Sequence, residues 1–408
     1  MTTADLTART ATSQATVERC LAELRRGGAI ALMDGDDAIL AVAAENLEES
    51  VFTWLSSAAG TGGVRLLLTA ERASRLGLKV DGAGTPAGGK AGGGKAGGGK
   101  ADGGEAVCIC HLTADLPAEA VKTALIRHVA DPTGSSQPAG ALDIGTLDLA
   151  LDEDPDRSLS PNLRHGAIDL AKTARLLPAM VVARVPAAAV AYWVASPFTM
   201  DHADLATHRR MLASQLRRVG SARVPLDGAE QTEIIAFRPS DGGKEHLAIV
   251  IGRPDPDQPV LIRLHSECFT GDLLGSLRCD CGDQLRGAIE QIAKSGSGIL
   301  LYLAQEGRGI GLINKLRAYR LQDAGADTLD ANLQLGFGAD ERVYQPAAEM
   351  LRQLGVVAVR LLTNNPDKVK GLEHCGIRVT ERVAHAFPSN DHNARYLSTK
   401  ATRFGHMF

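Results

Sequence analysis

Short apolar runs and amphipathic segments alternate along both halves of the chain. Runs such as AIALM at 29–33 and GILLYLAQ at 298–305 predict buried strands, because nearly every position over one strand length is apolar. The segment at 283–296 predicts a helix, because its apolar residues recur at every third or fourth position. Strands alternating with helices indicate an α/β fold (α+β in the broader sense), in which each domain is a mixed sheet covered by helices.

Two polar stretches organise the chain into parts. The arginine-rich segment 201–220 predicts a helix, and we interpret it together with 221–228 as the connection between two domains, 1–205 and 206–408. The tract 87–104 contains only Gly, Ala, Lys and one Asp. Because it has nothing to bury, it predicts a flexible insertion in the first domain.

Length, charge and hydropathy narrow the class of protein. A chain of 408 residues exceeds one ordinary domain core and favours two domains. A formal charge of -4 is not a signature of polyanion binding, so nucleic acid is not an expected partner. Residues 1–20 lack the apolar core of a signal peptide, and no run approaches the roughly 20 apolar residues of a membrane span. We therefore expect a soluble, cytoplasmic protein with no membrane partner.

The cysteines are the first candidates for chemistry. Seven of them, an odd number without a secretion signal, favour reduced thiols that act as core residues or metal ligands. Cys279 and Cys281 can share a ligand only on extended or turn-like backbone, and a direct disulfide between them would be strained. Cys268 supplies a third sulfur. Three thiolates without a fourth cysteine suggest zinc with one open coordination position.

Two other interpretations of these cysteines stay open on spacing alone. They could be small core residues, because the same C-x-C spacing occurs at Cys108 and Cys110. Alternatively, His265 or a carboxylate could close a structural metal site.

Three longer motifs carry a family resemblance. They are RLHSECFTGDLLGSLRCDCGDQL at 263–285, YLAQEGRGIGLINKLRAYRLQDAGADTLDANLQLGFGADERVY at 302–344 and VRLLTNNPDKVKGLEHCGI at 359–377. In this order and spacing, from about Ile234 to the C-terminus, they resemble GTP cyclohydrolase II, the family that opens the guanine ring of GTP at the start of riboflavin synthesis. The resemblance implies a hydrolase that releases formate and pyrophosphate and leaves a phosphoribosylated diaminopyrimidinone.

The resemblance also implies a site, residue by residue. The positions that match ligands of a catalytic zinc ion are Cys268, Cys279 and Cys281. Asp340 and Arg342 match the family's proposed proton acceptor and nucleophile, and Tyr319 matches a tyrosine that hydrogen-bonds near the metal. The positions that match contacts to GTP are Arg263, Leu264, His265, Ser266, Glu267, Gln284, Glu306, Gly307, Arg308, Thr328, Thr363 and Lys368. Mg²⁺ on the triphosphate and a homodimer are further expectations.

Elementary chemistry agrees with this assignment. Zinc lowers the pKa of a bound water from about 15.7 towards about 7, which would supply a nucleophile for the electrophilic C8 of guanine. Three thiolates donate much charge, so this zinc should be a poorer acid than one held by histidines. A hydrogen bond from Tyr319 near the metal would help to compensate for this. Arg308 and Lys368 add positive charge for phosphates, while Glu306 can accept from the N1 and N2 donors of guanine.

The role of Arg342 stays open on the sequence alone. A covalent bond from its guanidinium to the α-phosphate would need a nearby base, because the pKa of arginine exceeds about 12. Asp340 shares a face with Arg342 only if ADERVY is extended. In the alternative, Arg342 only stabilises charge on the phosphate.

The first half is similar in outline to 3,4-dihydroxy-2-butanone 4-phosphate synthase, to which this cyclohydrolase is fused in many bacteria. Segments 17–34, 165–185 and 198–210 carry the resemblance. The family's acidic motif Arg-Glu-Asn-Glu-Gly-Asp is replaced by DGDDAILAVAAEN, and Leu163 and His165 replace the His and Glu of Gly-His-Thr-Glu. We predict a catalytically inactive synthase fold retained for stability, dimerisation or regulation.

One further expectation concerns what remains of that first site, and two others are alternative functions for the whole chain. Asp34, Asp36 and Asp37 could bind a cation, although a solvated turn is the favoured interpretation. A bifunctional enzyme that keeps synthase activity is one alternative function, and the missing acidic motif opposes it. A non-catalytic GTP-binding regulator is another, and the intact cysteines, Asp340 and Arg342 oppose it.

Overall fold

The computed structural model describes residues 3–76, 107–112, 119–134, 151–153 and 159–385. The predicted glycine and lysine insertion at 87–104 lies outside these residues. The described chain forms two compact units. The first contains the residues up to His208 together with Leu316–Ala324 and Asp330–Ala339, and the second contains the others from Arg209 onward. No helix in the described ranges is both long enough and apolar enough to span a membrane.

The first unit is built on a seven-stranded mixed sheet. Its strands are β1 (Ile30–Asp34), β2 (Asp37–Ala43), β3 (Arg65–Thr69), β4 (Val107–Leu112), β5 (Leu151–Glu153), β6 (Ala179–Pro186) and β7 (Thr199–Asp201). Their order is β5-β4-β3-β6-β2-β1-β7, and only the β1–β7 pair is parallel among these neighbours. The helices are α1 (Thr3–Arg25), α2 (Glu49–Ala59), α3 (Ala70–Arg75), α4 (Glu119–Ala130), α5 (Pro161–Thr173), α6 (Val190–Trp193) and α7 (His202–Ser214), which continues past the end of the unit.

Helices cover both faces of this sheet. Leu66 and Leu68 of β3 pack in one core with residues of α2 and α4, whereas Leu67 packs in another core with residues of α1 and α5. Successive residues of a strand point to opposite faces, so a strand that is buried on both faces is apolar at nearly every position. This explains the continuous apolar runs and confirms the predicted sheet covered by helices.

The aspartates that the sequence offers as a cation site lie at the hairpin between β1 and β2. Asp34 accepts hydrogen bonds from Ser160 Oγ (2.6 Å) and Asn162 Nδ2 (3.2 Å). Asp37 forms an ion pair with Arg184 (2.7 Å). Neighbouring side chains therefore engage both carboxylates, in agreement with the favoured interpretation as a turn.

The second unit has its own seven-stranded mixed sheet. Its strands are β8 (Arg217–Arg223), β9 (Thr232–Arg238), β10 (His246–Ile251), β11 (Val260–Ser266), β12 (Gly298–Leu303), β13 (Ala358–Leu362) and β14 (Arg378–Val383). Their order is β14-β13-β11-β12-β10-β9-β8; the first four are parallel to one another, and the last three join by antiparallel pairing. The later helices of the chain are α8 (Cys281–Lys294), α9 (Leu312–Asp323), α10 (Thr328–Gln334), α11 (Gln345–Gln353) and α12 (Pro366–His374).

The parallel strands determine where the predicted site residues lie. The carboxyl ends of β11, β12 and β13 meet at one edge of the sheet, because these strands are adjacent and parallel. Cys268 follows β11, Glu306 follows β12 and Thr363 follows β13. Ligands of open α/β sheets bind in the crevice beyond such carboxyl ends, so the topology gathers these residues at an edge suited to binding.

Two predicted elements differ in the structure. The helix predicted over 201–220 is wrong beyond Ser214, where α7 ends, because Arg217–Arg223 forms β8 and pairs antiparallel with β9. All the side chains of β8 are exposed, so the strand has no apolar alternation that could reveal it. The helix predicted from residue 283 begins two residues earlier, at Cys281.

Two segments from the later half of the chain belong to the first unit. Arg317 of α9 forms ion pairs with Glu45 (2.5 Å) and Asp131 (3.5 Å), both of which are buried. Thr69 Oγ1 donates a hydrogen bond to the carbonyl oxygen of Gly336 (2.9 Å). These long-range contacts explain why Leu316–Ala324 and Asp330–Ala339 pack with the first sheet.

Candidate active site

Three cysteine sulfurs lie together at the edge of the second sheet. Cys268 follows β11, Cys279 lies in a turn, and Cys281 is the first residue of α8. The sulfurs of Cys268 and Cys279 are 3.7 Å apart, and all three sulfurs lie within 4.8 Å of one another. Asp280 between them is non-helical (φ -99°, ψ 12°). This cysteine triad could hold a metal ion, and the described residues contain no other such group of three His, Cys, Asp or Glu side chains.

The thiols of the triad do not ionise independently. Hydrogen bonds from Cys279 and Cys281 lower the pKa of Cys268, and the charge of Lys315 contributes in the same direction. The hydrogen bond with Cys268, together with burial and the charge of Cys268, raises the pKa of Cys279 to about 11. Neighbouring thiolates repel one another, and a bound cation would allow all three to ionise.

Gly271 keeps the space between the sulfurs open. A Cβ atom at this position would lie 2.7 Å from the sulfur of Cys279, 3.0 Å from that of Cys268 and 2.9 Å from Cβ of Cys281. A side chain there would therefore crowd two of the sulfurs and the Cβ atom of the third cysteine. The sequence reasoning missed Gly271, although a glycine between the cysteines of a motif is a signal of close approach.

A buried carboxylate supports the first cysteine. Asp272 accepts hydrogen bonds from the backbone N–H of Cys268 (3.0 Å) and the hydroxyl of Tyr302 (2.9 Å), and it contacts Nε2 of His265 (3.0 Å). Burial lowers the pKa of His265, although Asp272 opposes the shift. The predicted GTP contact His265 is thus tied to Asp272, and the sequence reasoning missed both Asp272 and Tyr302.

A buried lysine joins the triad to the loop after β12. The Lys315 ammonium donates hydrogen bonds to the sulfur of Cys268 (3.0 Å), Oγ1 of Thr270 (3.0 Å) and Oε1 of Glu306 (2.8 Å). Lys315 is only 9% exposed. The sequence reasoning missed it because a lysine on a helix is normally solvated.

The loop that carries Glu306 has an unusual backbone. Gly307 (φ 63°) and Arg308 (φ 62°) are both left-handed, a conformation that is uncommon for a residue with a side chain. The Glu306 carboxylate accepts from the backbone N–H groups of Phe269 (2.7 Å) and Gly307 (3.1 Å). The carbonyl oxygen of Arg308 accepts from the N–H of Glu341 (3.1 Å), which ties this loop to the segment containing Asp340 and Arg342.

Arg263 and Gln284, two predicted GTP contacts, bind each other. Arg263 donates to Oε1 of Gln284 (2.5 Å) and to the carbonyl oxygen of Leu362 (2.9 Å). Nε2 of Gln284 donates to Asp280 (2.5 Å). Both ends of the Gln284 amide are therefore engaged within the protein, next to the turn that carries Cys279.

Asp340 and Arg342 form a close ion pair. Nε of Arg342 donates to both oxygens of Asp340 (2.8 and 3.1 Å), its Nη2 also contacts Asp340, and its backbone N–H donates to Oδ1 (3.0 Å). Desolvation raises the pKa of Asp340, but the charge and hydrogen bonds of Arg342, together with the charge of Arg308, outweigh it and leave the pKa lowered. The segment is not helical, which agrees with the condition that the sequence sets for the two side chains to meet.

Four other predicted GTP contacts lie beside the same strand ends. They are Leu264, Glu267, Thr363 and Lys368. Lys368 of α12 donates to the carbonyl oxygen of Leu264 (2.8 Å), and the N–H of Asn365 donates to Thr363 (3.0 Å). Glu267 donates its backbone N–H to the carbonyl oxygen of Leu303 (2.8 Å). Their contacts to GTP stay predictions.

The last three predicted residues lie on other elements or at element ends. Ser266 ends β11, and Thr328 is the first residue of α10. Tyr319 lies in the part of α9 that belongs to the first unit. Its predicted role near the metal stays a prediction.

Acidification is expected to weaken the second unit through His385. This ring contacts the carbonyl oxygen of Gln284 (2.9 Å) and Oε1 of Gln291 (3.2 Å), and burial, with the charge of Arg263, lowers its pKa from 6.5 to about 4. The unfolded chain therefore binds this proton first, so the stability contribution is complete above pH 6.5 and is lost as the pH falls towards 4.

At pH 5 the expected loss from His385 is about 2 kcal/mol relative to pH 7.5. Urea unfolding followed by circular dichroism at both pH values would measure it, with His385→Gln as the matched variant. The variant should lose less stability between the two pH values than the wild type. Equal losses would show that His385 does not titrate in this way.

Comparison with known proteins places this site in a family. A sequence model described as GTP cyclohydrolase II matches residues 217–384. A GTP cyclohydrolase-2 of Azospirillum brasilense is 50% identical over 398 residues, which cover 96% of this chain and 94% of that protein. A GTP cyclohydrolase-2 of Pseudomonas aeruginosa (strain LESB58) is 57% identical over 189 residues, or 46% of this chain and 92% of that protein.

A solved structure of a two-domain 3,4-dihydroxy-2-butanone 4-phosphate synthase from A. baumannii covers 90% of this chain and 99% of its own, at 18% identity and a TM-score of 0.32. That score does not establish a shared fold. The similarity to the Azospirillum protein, by contrast, extends over nearly the whole of both chains. The chain therefore belongs to the GTP cyclohydrolase II family and is a hydrolase.

Proposed function

We propose that this chain is a zinc-dependent GTP cyclohydrolase II, which hydrolyses GTP to formate, pyrophosphate and a phosphoribosylated diaminopyrimidinone in the first step of riboflavin synthesis. The observation that carries the proposal is the cysteine triad at the carboxyl ends of the parallel strands, linked through Lys315 to Glu306. The loop of Glu306 is hydrogen-bonded in turn to the segment that contains Asp340 and Arg342. The names of the relatives support GTP as the substrate.

The triad suits zinc in geometry and in chemistry. Tetrahedral zinc with Zn–S distances of about 2.3 Å has its sulfurs about 3.8 Å apart, and those of Cys268 and Cys279 are 3.7 Å apart. Three protein ligands leave a fourth position open, as in catalytic sites. When bound, zinc would supply Lewis acidity and an activated water for hydrolysis at C8 of guanine.

The protein's own residues would hold the nucleotide around this point. Arg308 and Lys368 supply positive charge for the phosphates. A carboxylate has about four acceptor positions, and Phe269, Gly307 and Lys315 already use three of those on Glu306. Glu306 can therefore accept one N–H of guanine without losing a present contact, rather than both as the sequence suggests.

Further proposals follow from the resemblance and from the substrate. Mg²⁺ would accompany the triphosphate, because its charge needs neutralising. We also propose a cytoplasmic homodimer, with domains at 1–205 and 206–408. Tyr319 would assist at the metal.

We propose that the first domain is an inactive relative of the synthase. The acidic motif is missing, Leu163 and His165 replace the expected His and Glu, and Leu163 is fully buried. The remaining Asp34 accepts from Ser160 and Asn162. None of these features provides the acidic metal site that the synthase reaction needs.

One experiment tests the proposed function. The purified full-length protein is incubated with GTP and Mg²⁺, with and without prior zinc chelation, and formate, pyrophosphate and the pyrimidine are quantified. Formate and pyrophosphate are expected in equal amounts, and chelation should abolish both until zinc is restored. A GTP-binding regulator would release neither product, and activity that survives complete zinc removal would contradict the zinc assignment.

The same preparation tests the first domain. Incubation with ribulose 5-phosphate and Mg²⁺ is expected to leave the sugar phosphate unconsumed. Its consumption would instead favour the bifunctional alternative, without changing the conclusion about GTP.

A further inference from the structure

Lys315 contacts both a predicted metal ligand and a predicted GTP contact, and the proposed reaction assigns it no role. An ammonium group has three N–H donors and no acceptor. Three acceptors surround Nζ of Lys315 at hydrogen-bond distance: the sulfur of Cys268 (3.0 Å), the hydroxyl of Thr270 (3.0 Å) and the carboxylate of Glu306 (2.8 Å). Two of these acceptors carry negative charge in the metal-loaded site. The group thus links a metal ligand directly to a predicted GTP contact.

The backbone around Lys315 holds the side chain in this place. The N–H of Lys315 donates to the carbonyl oxygen of Gly311 (3.0 Å), in the first turn of α9. The left-handed Gly307 packs so closely that a Cβ atom there would lie 3.1 Å from Cβ of Lys315. The loop after β12 therefore closes over the lysine stem and directs its head back to Cys268, 47 residues earlier in the chain.

The charge of Lys315 partly compensates the negative charge of the metal-loaded triad. Three thiolates carry a charge of -3 and zinc carries +2, so the loaded triad alone would keep a net charge of -1. The Glu306 carboxylate adds a further -1, so the +1 of Lys315 lowers the summed charge of the loaded triad and Glu306 from -2 to -1, at a buried place where uncompensated charge is costly. A charge-assisted hydrogen bond also withdraws electron density from the sulfur that accepts it.

Withdrawal of electron density from Cys268 would increase the Lewis acidity of a zinc ion held by three thiolates. Three thiolates donate so much charge that the zinc becomes a weak Lewis acid, whereas hydrogen bonding to one of them reduces its donation. Outer contacts of this kind tune metal ligands in general. The same ammonium also fixes Glu306, so the metal and the nucleotide side of the site share one support.

We propose that Lys315 is a positioning residue, which strengthens the Lewis acidity of the metal through Cys268 and aligns Glu306 for the nucleotide. The proposal rests on the proposed function for its catalytic meaning. The contact with the metal ligand, however, can be measured without any turnover.

The first test measures metal binding in Lys315→Met, which keeps the length of the side chain and removes its charge and donors. Zinc affinity, determined by competition with a chromophoric chelator, is expected to fall about 10- to 100-fold, because the loss of the buried positive charge outweighs the stronger donation of the thiolate. In the Co²⁺-substituted protein, the thiolate-to-metal charge-transfer band is expected to move to longer wavelength, because the unprotected thiolate is a stronger donor. Lys294→Met is the matched control, since Lys294 is exposed and contacts only Glu290 among the described side-chain partners (2.6 Å).

Lys315→Gln provides the second variant and guards against a folding defect. It keeps a neutral donor, so its Co²⁺ band is expected to lie between those of the wild type and Lys315→Met. At saturating zinc, Lys315→Met should lose about 10- to 100-fold in kcat for formate release, while Lys294→Met keeps it. Wild-type zinc affinity and an unchanged Co²⁺ band in both Lys315 variants would overturn the proposal. Absence of GTP turnover in the wild type would instead overturn the proposed function, and the two binding measurements would still decide the role of Lys315.

Discussion

Cys281→Ser is expected to lose zinc and to lower GTP turnover by a factor of about 10³ or more, because metal-ion Lewis acidity supplies several kcal/mol of transition-state stabilisation. A serine hydroxyl does not ionise near neutral pH and cannot replace the thiolate as a third ligand. The position is the first residue of α8, where a serine is compatible with the backbone. The measurements are the zinc content of the purified variant and its rate of formate release.

Cys375→Ser is the matched control for this variant. Cys375 lies in the same unit at the end of α12, half-buried and outside the triad. The same chemical change there should leave zinc content and turnover close to the wild type. If Cys281→Ser kept its zinc and its activity, the triad would not be the metal site.

Gly271→Ala should give the same loss without altering a ligand. Its methyl group would lie 2.7 Å from the sulfur of Cys279 and 3.0 Å from that of Cys268. Free thiols could rotate away, but thiolates held by a metal could not, so the clash falls on the loaded state. Gly220→Ala serves as the control because a Cβ atom at that position would have no neighbour within 4 Å. The two variants together separate ligand chemistry from space.

Much of the fold could be predicted because its central strands are buried on both faces. β2 and β12 are almost entirely apolar, and such a run is typical of a strand that is covered on both sides. β8 escaped prediction for the opposite reason, since all its side chains are exposed and only backbone pairing with β9 defines it. The membership of Leu316–Ala324 in the first unit depends on the contacts of Arg317 with Glu45 and Asp131, which no local pattern contains.

The candidate site likewise contains residues that could be predicted from the sequence and residues that could not. The cysteines could be predicted because their chemistry is rare and their spacing belongs to a motif. Lys315 and Tyr302 could not, because each is an ordinary residue on an ordinary element until the fold brings it to Cys268 or Asp272, 47 and 30 residues away in the chain. Sequence patterns thus predicted the groups that we propose to bind and react, whereas the groups that support them became visible only through tertiary contacts.

Arg342→Met is expected to lower pyrophosphate release by a factor of about 10³ or more, the range typical of an arginine that stabilises charge on a transferring phosphoryl group. The guanidinium is held by Asp340 through its Nε and Nη2 atoms, and its side chain is only 11% exposed. Arg342→Lys should keep part of the activity, because it retains the charge without the planar fork. Arg218→Met is the control, since Arg218 lies on the exposed strand β8 and pairs with Glu233 of β9 (3.3 Å).

The Asp340–Arg342 pair also favours one of the two roles that the sequence leaves open for Arg342. A nucleophilic guanidinium must first lose a proton, yet the pKa of Asp340 is lowered from 3.8, while that of arginine exceeds about 12. Transfer to this carboxylate would therefore be strongly unfavourable. We therefore expect Arg342 to act as a fixed positive charge, and intact mass spectrometry of the wild type during turnover should find no nucleotide adduct. An adduct that forms in the wild type and disappears in Arg342→Lys would instead establish the covalent route, and Asp340 would then have to accept a proton against this difference in pKa.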